Sequence, residues 1–333
     1  MIPRRLTLDW PLAVLLAAGL LVFSLLLAVS VGAVDIPLDQ VWRLIFRPDA
    51  SNESLIVHTL RLPRALVALL VGASLGVAGA LMQGLTRNPL AEPGLLGVNA
   101  GAALGLLLGV VFFPGLPGWG MVLLAALGGV LAAALVYSLT AVVGLTPVRL
   151  ALAGIAVGAM LGAAASFLLI MFEERTRGAF INLSGSLAGR TWEHFWLILP
   201  WALPALLLAV LLAQQVNLLS LGEETARSLG ARVGGVRLLV AGLAVLLAGA
   251  AVSVAGPVGF LGLMVPHLAR GWVGPDYRRV LPLSALLGAS LLSLADVAAR
   301  LVDRPLETPV GILVVALGAP FFVYLARRTG QVH

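Results

Sequence analysis

The sequence contains no cysteine and no lysine, and only 11% of its 333 residues are charged. The absence of cysteine excludes disulfides, thiol chemistry and cysteine-ligated metals. Soluble domains carry about 25% charged residues, so this chain has too few charges to cover a surface that faces water. Because 60% of its residues are hydrophobic and its mean hydropathy is +1.06, the composition indicates lipid as the surrounding solvent.

The positive charge of the chain does not indicate a nucleic-acid partner. The formal net charge is +6, and all 21 basic residues are arginines. These arginines lie between apolar runs, whereas nucleic-acid binding needs a basic patch or stripe. The sequence therefore predicts membrane lipid, and no nucleic acid, as a partner.

Motifs for catalysis or metal binding are also missing from the sequence. It has no GxxxxGK[ST] phosphate loop and no HExxH pair. Its four histidines are scattered without a spaced partner, at His58, His194, His267 and His333. We interpret His267, which follows Pro266, as structural and not as a ligand. The sequence thus predicts no catalytic residue, no metal site and no cofactor on this chain.

Long apolar runs dominate the chain, and a membrane-spanning helix needs about 20 such residues. The first run could be a cleaved signal peptide, but it lacks a clear cleavage site, so we interpret it as a span. The eighth is short and contains Pro266, which favours a half-span, broken at that proline, inside the bundle. The ten candidate spans are 11–33, 65–84, 94–113, 120–141, 149–171, 194–213, 237–255, 258–270, 281–299 and 310–326.

These runs predict an all-α, polytopic membrane protein with about ten transmembrane helices, forming a single transmembrane domain over residues 1–333. An even number of spans places both termini on one side. With both termini in the cytoplasm, twelve arginines lie inside and nine outside, which agrees with the positive-inside rule. The outer arginines are still unusually many, and they need an explanation of their own.

Ionisable residues are almost absent from the centres of the predicted spans, and Asp296 lies near the outer end of the ninth. A secondary carrier needs a buried carboxylate or an ion site at a broken helix. A membrane enzyme needs a polar cluster at depth, and neither feature is visible in the sequence. Small residues at helical spacing predict close helix packing or, in places, the lining of a passage. They are Gly72 and Gly76, then Gly97, Gly101, Gly105 and Gly109, then Gly154, Gly158 and Gly162.

Three segments carry the most specific pattern in the sequence. They read RLPR at 61–64 with RNPLAEPGLLG at 87–97, LGEETARSLG at 221–230, and GPVGFLGLMVPHLAR at 256–270 with ADVAAR at 295–300 and ETPVG at 307–311. Together they closely resemble the permease family of type II ABC importers, which take up ferric siderophores, haem and cobalamin. The resemblance covers about residues 35–328.

The resemblance implies partners that composition and spacing do not reveal. They are a second permease subunit (an identical copy or a close homologue), two cytoplasmic ATP-binding cassette ATPase subunits, and a periplasmic or lipid-anchored substrate-binding protein. ATP and Mg would be bound by the ATPase. The chain would be a multi-pass protein of the cytoplasmic (inner) membrane that imports an iron chelate by alternating access, with ferric siderophore favoured over haem or cobalamin.

The resemblance also implies three sets of functional residues. Arg61, Arg64 and Arg300, here called the outer arginines, would grip carboxylates of the binding protein, with lipid-headgroup anchoring as the alternative. The coupling segment would contact the ATPase or be an ordinary surface loop, and it comprises Leu221, Gly222, Glu223, Glu224, Ala226, Arg227 and Gly230. The gate residues would close the pathway in the cytoplasm or form plain turns, and they are Asn88, Pro89, Leu90, Thr146 and Pro147.

Overall fold

The computed structural model describes residues 8–32, 34–143, 147–176, 184–222, 225, 228, 233–302, 304 and 306–329. A π-helical turn covers Val57–Arg61, and a short 3-10 helix covers Pro93–Leu96. The α-helices are α1 (Trp10–Ser30), α2 (Leu38–Phe46), α3 (Asn52–Ile56), α4 (Leu62–Thr86), α5 (Val98–Phe112), α6 (Gly118–Val143), α7 (Pro147–Met171), α8 (Trp192–Leu211), α9 (Ala213–Ser220), α10 (Val233–Ala255), α11 (Leu261–Val273), α12 (Tyr277–Val302) and α13 (Val310–Thr329).

The predicted all-α polytopic bundle is confirmed, and each predicted span coincides with a helix. In the described residues, seven helical stretches are long and apolar enough to cross a membrane, and α5 and α13 are shorter apolar helices. The count of ten and the side of the termini stay predictions, since residues 1–7 and 330–333 lie outside the described part. The amphipathic helix α2 and the short helices α3 and α9 were not predicted.

Helix α4 forms the centre of the bundle, where it packs against α8, α10, α11 and α12. Its glycines bring the backbones together, as the stripe of small residues predicts. A Cβ on Gly72 would collide with the carbonyl of Gly288, and one on Gly76 would lie 2.6 Å from the carbonyl oxygen of Ser284. Substituting either glycine would therefore force α12 away from α4.

Helices α5 and α6 cross in the same manner. The stripe on α5 faces α6, because a Cβ on Gly101 would collide with the carbonyl of Gly128. One on Gly105 would collide with that of Leu124. The packing interpretation of this stripe is confirmed for these two positions.

Helix α11 begins deep inside the bundle, as the half-span prediction requires. It has 13 residues and is about 20 Å long. A Cβ on Gly79 would collide with the carbonyl of Gly262, near the start of α11. Gly79 precedes the end of α4 by seven residues, so the crossing lies about 10 Å in from that end.

The expected break at Pro266 is wrong, since this proline lies inside α11 and the break precedes the helix at 256–260. A proline within a helix leaves the carbonyl four residues earlier without its usual donor. Here that carbonyl belongs to Gly262, and the side-chain amide of Gln83 donates to it at 3.3 Å. A hydrogen bond from α4 thus replaces the missing one, and α11 continues through Pro266.

Candidate functional site

A cluster of buried charges lies where the start of α4 meets the end of α12. The guanidinium of Arg64 donates to both carboxylate oxygens of Asp296, at 2.8 Å from Nη2 to Oδ1 and 3.0 Å from Nε to Oδ2. Its third nitrogen, Nη1, donates to Glu307 at 2.8 Å. Asp296 is only 2% exposed, whereas the side chain of Glu307 is 40% exposed. Arg64 therefore joins a buried acid to one that the surroundings can reach.

Arg300 completes this outer charge cluster, which consists of Arg64, Asp296, Arg300 and Glu307. It lies one helical turn after Asp296 on α12, with 3.3 Å between Nη2 and Oδ2. Its Nη1 donates to the carbonyls of Ala28 at 3.0 Å and Val31 at 2.7 Å. These carbonyls lie at the C-terminal end of α1, where no following turn of helix supplies N–H donors.

Arg61 also donates hydrogen bonds to carbonyls at the C-terminal end of α1. Its Nη1 donates to the carbonyls of Val29 and Ser30 at 2.7 Å each, and its Nη2 donates to that of Val34. Cations at the C-terminal end of a helix satisfy its free carbonyls and oppose its dipole. Arg61 and Arg300 together thus hold the C-terminal end of α1 against α4 and α12.

The three outer arginines are brought together by the fold, but they are 5–9% exposed and bonded within the chain. Their internal contacts give a structural reason for part of the arginine excess on that side. This role was missed by the sequence analysis, although Asp296 and Arg300 have the i,i+4 spacing of a helical ion pair. Neither docking nor headgroup anchoring is tested by these contacts, so both stay predictions.

More exposed charges surround the cluster on the same predicted side. Arg304 bonds Asp35 at 3.1 Å, and their side chains are 36% and 63% exposed. The hydrogen bond from Arg304 lowers the pKa of Asp35 below its ordinary value, aided by the N–H of Gly32. This outer surface therefore stays charged at neutral pH.

The gate residues 88–90 form a tight turn after α4. Arg87 ends the helix with a φ of 53°. The side-chain oxygen of Asn88 then accepts the N–H of Leu90 at 2.9 Å, which is an Asx turn. A turn is thus present, as the plain interpretation requires, while the gating role stays a prediction. Thr146 lies outside the described residues, and Pro147 begins α7.

The coupling segment starts beside this turn. Leu221 is 60% exposed, and a Cβ on Gly222 would lie 3.4 Å from the guanidinium of Arg87. Both segments therefore meet at the end of α4. The other predicted coupling residues lie outside the described residues, namely Glu223, Glu224, Ala226, Arg227 and Gly230.

One face of α7 lacks a partner within the described chain. A Cβ on Gly158 or Gly162 would meet no atom within 4 Å. Large apolar side chains accompany them, with Ile155 and Phe167 each 61% exposed. Gly158 and Gly162 thus differ from the glycines of the other two stripes, since nothing that the structure describes lies against them, whereas Gly154 is buried beside Gly97. No group of three or more His, Asp or Glu side chains in the described residues could hold a metal ion.

A bundle of long apolar helices, crossed at glycines and containing the short buried helix α11, is the architecture of a multi-pass membrane protein. Residues 20–328 match the FecCD transport family, and the chain belongs to that family. Its relatives are named as transport or import permeases, and the chain is accordingly a permease and not an enzyme.

Several relatives are similar over nearly the whole chain. The iron(3+)-hydroxamate import permease FhuB of Bacillus subtilis is 46% identical, covering 95% of this chain and 83% of the relative. The Fe(3+)-citrate import permease YfmD of the same organism is 44% identical over 94% of both chains. The Fe(3+) dicitrate permease FecC of Escherichia coli is 45% identical, covering 83% of this chain and 84% of the relative.

A solved structure confirms the fold. An inward-facing conformation of a metal-chelate type ABC transporter has a TM-score of 0.79 and 31% identity, covering 96% of this chain and 99% of that one. PsaBC of Streptococcus pneumoniae, at 18% identity and a TM-score of 0.61, shares the fold alone.

The outer charge cluster predicts a large difference between its two acids. We expect Asp296→Asn to destabilise the fold by about 3 kcal/mol, because it leaves Arg64 and Arg300 buried without their shared counter-ion. Glu307→Gln removes a partly exposed pair and should cost about 0–1 kcal/mol. Thermal unfolding of the two variants in detergent measures the difference. An Asp296→Asn variant as stable as Glu307→Gln would contradict this assignment.

Proposed function

We propose that this permease carries an iron chelate inward across the cytoplasmic (inner) membrane, with a ferric siderophore as the favoured cargo and haem or cobalamin less favoured. The observation that carries the proposal is the match to ferric citrate and ferric hydroxamate permeases at 44–46% identity over most of the chain. The cargo of those relatives is iron held by an oxygen-rich chelator. A pathway for such bulky cargo needs few specific contacts, so selectivity would lie in the binding protein.

The open face of α7 supports a second permease subunit as a partner. Small residues at Gly158 and Gly162 leave room for a close helix approach, and the apolar side chains around them would be covered by it. The pathway would then run between two copies, or between this chain and a close homologue. Each would contribute its face of α7.

Energy would enter through separate ATPase subunits at the coupling segment. Two such subunits would bind ATP and Mg, and this chain would bind no cofactor. A periplasmic or lipid-anchored binding protein would deliver the chelate on the outer side. Alternating access then follows from the partners, since each binds one state of the permease better than the other.

Docking of the binding protein would use Arg64 through its accessible partner. Asp296 holds one edge of the guanidinium inside the fold, while Glu307 occupies the other edge near the surface. A carboxylate of the binding protein would compete with Glu307 for that edge. Arg61 and Arg300 would support docking by fixing the end of α1 beside it.

Vesicle reconstitution tests the proposed function. Vesicles that contain the permease, its co-purified ATPase and a loaded binding protein should accumulate iron-55 as ferric hydroxamate or ferric citrate when ATP is supplied. The permease alone should hydrolyse no ATP, because its sequence has no nucleotide motif. ATP-driven uptake of haem or cobalamin without uptake of either ferric chelate would overturn the cargo assignment.

The competition at Arg64 makes an unusual prediction for docking. Glu307→Gln should tighten binding-protein association by up to about tenfold, or 1.4 kcal/mol, because the competing carboxylate is gone. Asp49→Asn, which removes an exposed acid that pairs with Arg43, is the matched control for general electrostatics. Affinity is measured in nanodiscs at two salt concentrations. Equal or weaker binding by Glu307→Gln would remove Arg64 from the docking surface.

A further inference from the structure

The gate turn is tied to the beginning of α11 by a buried carboxylate. Glu92 follows the gate residues, is 7% exposed, and accepts the N–H of Phe260 at 3.3 Å. Phe260 immediately precedes α11 and has a φ of 64°. The first N–H groups of a helix lack internal partners and carry the positive end of its dipole, so an acid there is stabilising. Any shift of the start of α11 therefore acts on the segment that contains the gate turn.

Gln83 of α4 connects the two ends of α11. Its amide nitrogen donates to the carbonyls of Gly262 at 3.3 Å and Leu263 at 3.4 Å. Its amide oxygen accepts a hydrogen bond from Arg270, near the other end of the helix. Gln83 is 3% exposed, so water cannot substitute for these partners. One side chain thus fixes α11 to α4 at both ends.

The contacts continue from Arg270 to the helix that leads into the coupling segment. Arg270 also lies close enough to the side chain of Tyr277, the first residue of α12, for an electrostatic interaction. The N–H of Tyr277 donates to the side-chain oxygen of Asn217 at 2.9 Å, and the Asn217 amide donates to Asp276 at 2.6 Å. Asn217 lies in α9, four residues before Leu221. These contacts connect the helix that leads into the coupling segment to the start of α12 and to Arg270.

Two glycines with positive φ flank α11. Gly256 has a φ of 72° in the break before the helix, and Gly274 has a φ of 80° directly after it. Both positions adopt a backbone conformation that other residues rarely take, and such positions can absorb changes in φ and ψ at a hinge. The helix between them is a short element that packs against α4 and α12 and is hydrogen-bonded by Gln83 and Glu92.

We propose that these residues form a hydrogen-bonded relay from the coupling segment to the gate turn, in which Gln83 and Arg270 are positioning residues for transport. The relay comprises Asn217, Asp276, Tyr277, Arg270, Gln83 and Glu92. It rests on the proposed function, which assigns ATPase coupling to one end and gating to the other. It transmits a displacement of α9 through α11 to the segment 88–92. None of its members needs to touch the chelate.

The absence of cysteine makes the relay testable with a single introduced thiol. In a Leu90→Cys background, the permease bound to its co-purified ATPase is treated with a maleimide. The rate of labelling is compared between the nucleotide-free complex and the complex with trapped ATP. Coupling between sites is typically about 5- to 150-fold, and we expect the labelling rate to change by about tenfold. The readout needs no cargo, so it is independent of the iron-chelate assignment.

Three variants in this background separate the relay from plain structural support. Gln83→Leu keeps the side-chain volume and should abolish the nucleotide-dependent difference, while ATP hydrolysis and ATPase binding persist. Asn217→Ala, in a partly exposed position, should do the same with less risk to folding. Gln214→Leu, an exposed change on the same helix as Asn217, should leave the difference intact. The Gln83→Leu/Asn217→Ala double variant should be no worse than either single one, since both interrupt one path.

Two outcomes would overturn the relay. One is a labelling difference that survives in both Gln83→Leu and Asn217→Ala, and the other is the lack of any difference in the parent protein. Failure of the proposed cargo would show separately, as vesicles that retain the nucleotide-dependent labelling but do not accumulate a ferric chelate.

Discussion

The fold depends on direct backbone contact between α4 and the helices around it. Lipid tails are as apolar as the side chains, so the hydrophobic effect does not drive helices together in a membrane. They associate through close packing and hydrogen bonds instead. Gly72, Gly76 and Gly79 supply the first, because they place no side chain of α4 at its crossings with α11 and α12. Gln83 and Arg64 supply the second on the same helix, near its two ends.

Polar groups inside the bundle follow from this arrangement. A backbone carbonyl exposed to lipid costs several kcal/mol, so every break in a helix needs a donor from elsewhere. The end of α1 receives Arg61 and Arg300, and the carbonyl released by Pro266 receives Gln83. The same side chains that satisfy these breaks connect separate helices, as the proposed relay requires of Gln83.

The spans and the family could be predicted from the sequence, because both depend on local patterns of residues. Apolar runs located the helices, and ordered motifs identified the permease resemblance. Contacts between residues far apart in the sequence could not be predicted from these local patterns. Arg64 and Asp296 are 232 residues apart, and their pairing depends on how α4 crosses α12. Gln83 and Asn217 were missed because uncharged amides in apolar or weakly amphipathic helices belong to no motif, and only their geometry reveals their role.

The central claim is that displacement of the coupling segment shifts α11 relative to α8 and to the C-terminal end of α12. Distances between spin labels test it most directly in the ATPase-bound permease, with and without trapped nucleotide. Labels at Leu268→Cys on α11 and Leu301→Cys on α12 should report a distance that differs between the two states. Labels at Leu203→Cys on α8 and Leu301→Cys should report one that does not. An unchanged distance from α11, or equal changes in both pairs, would contradict the account.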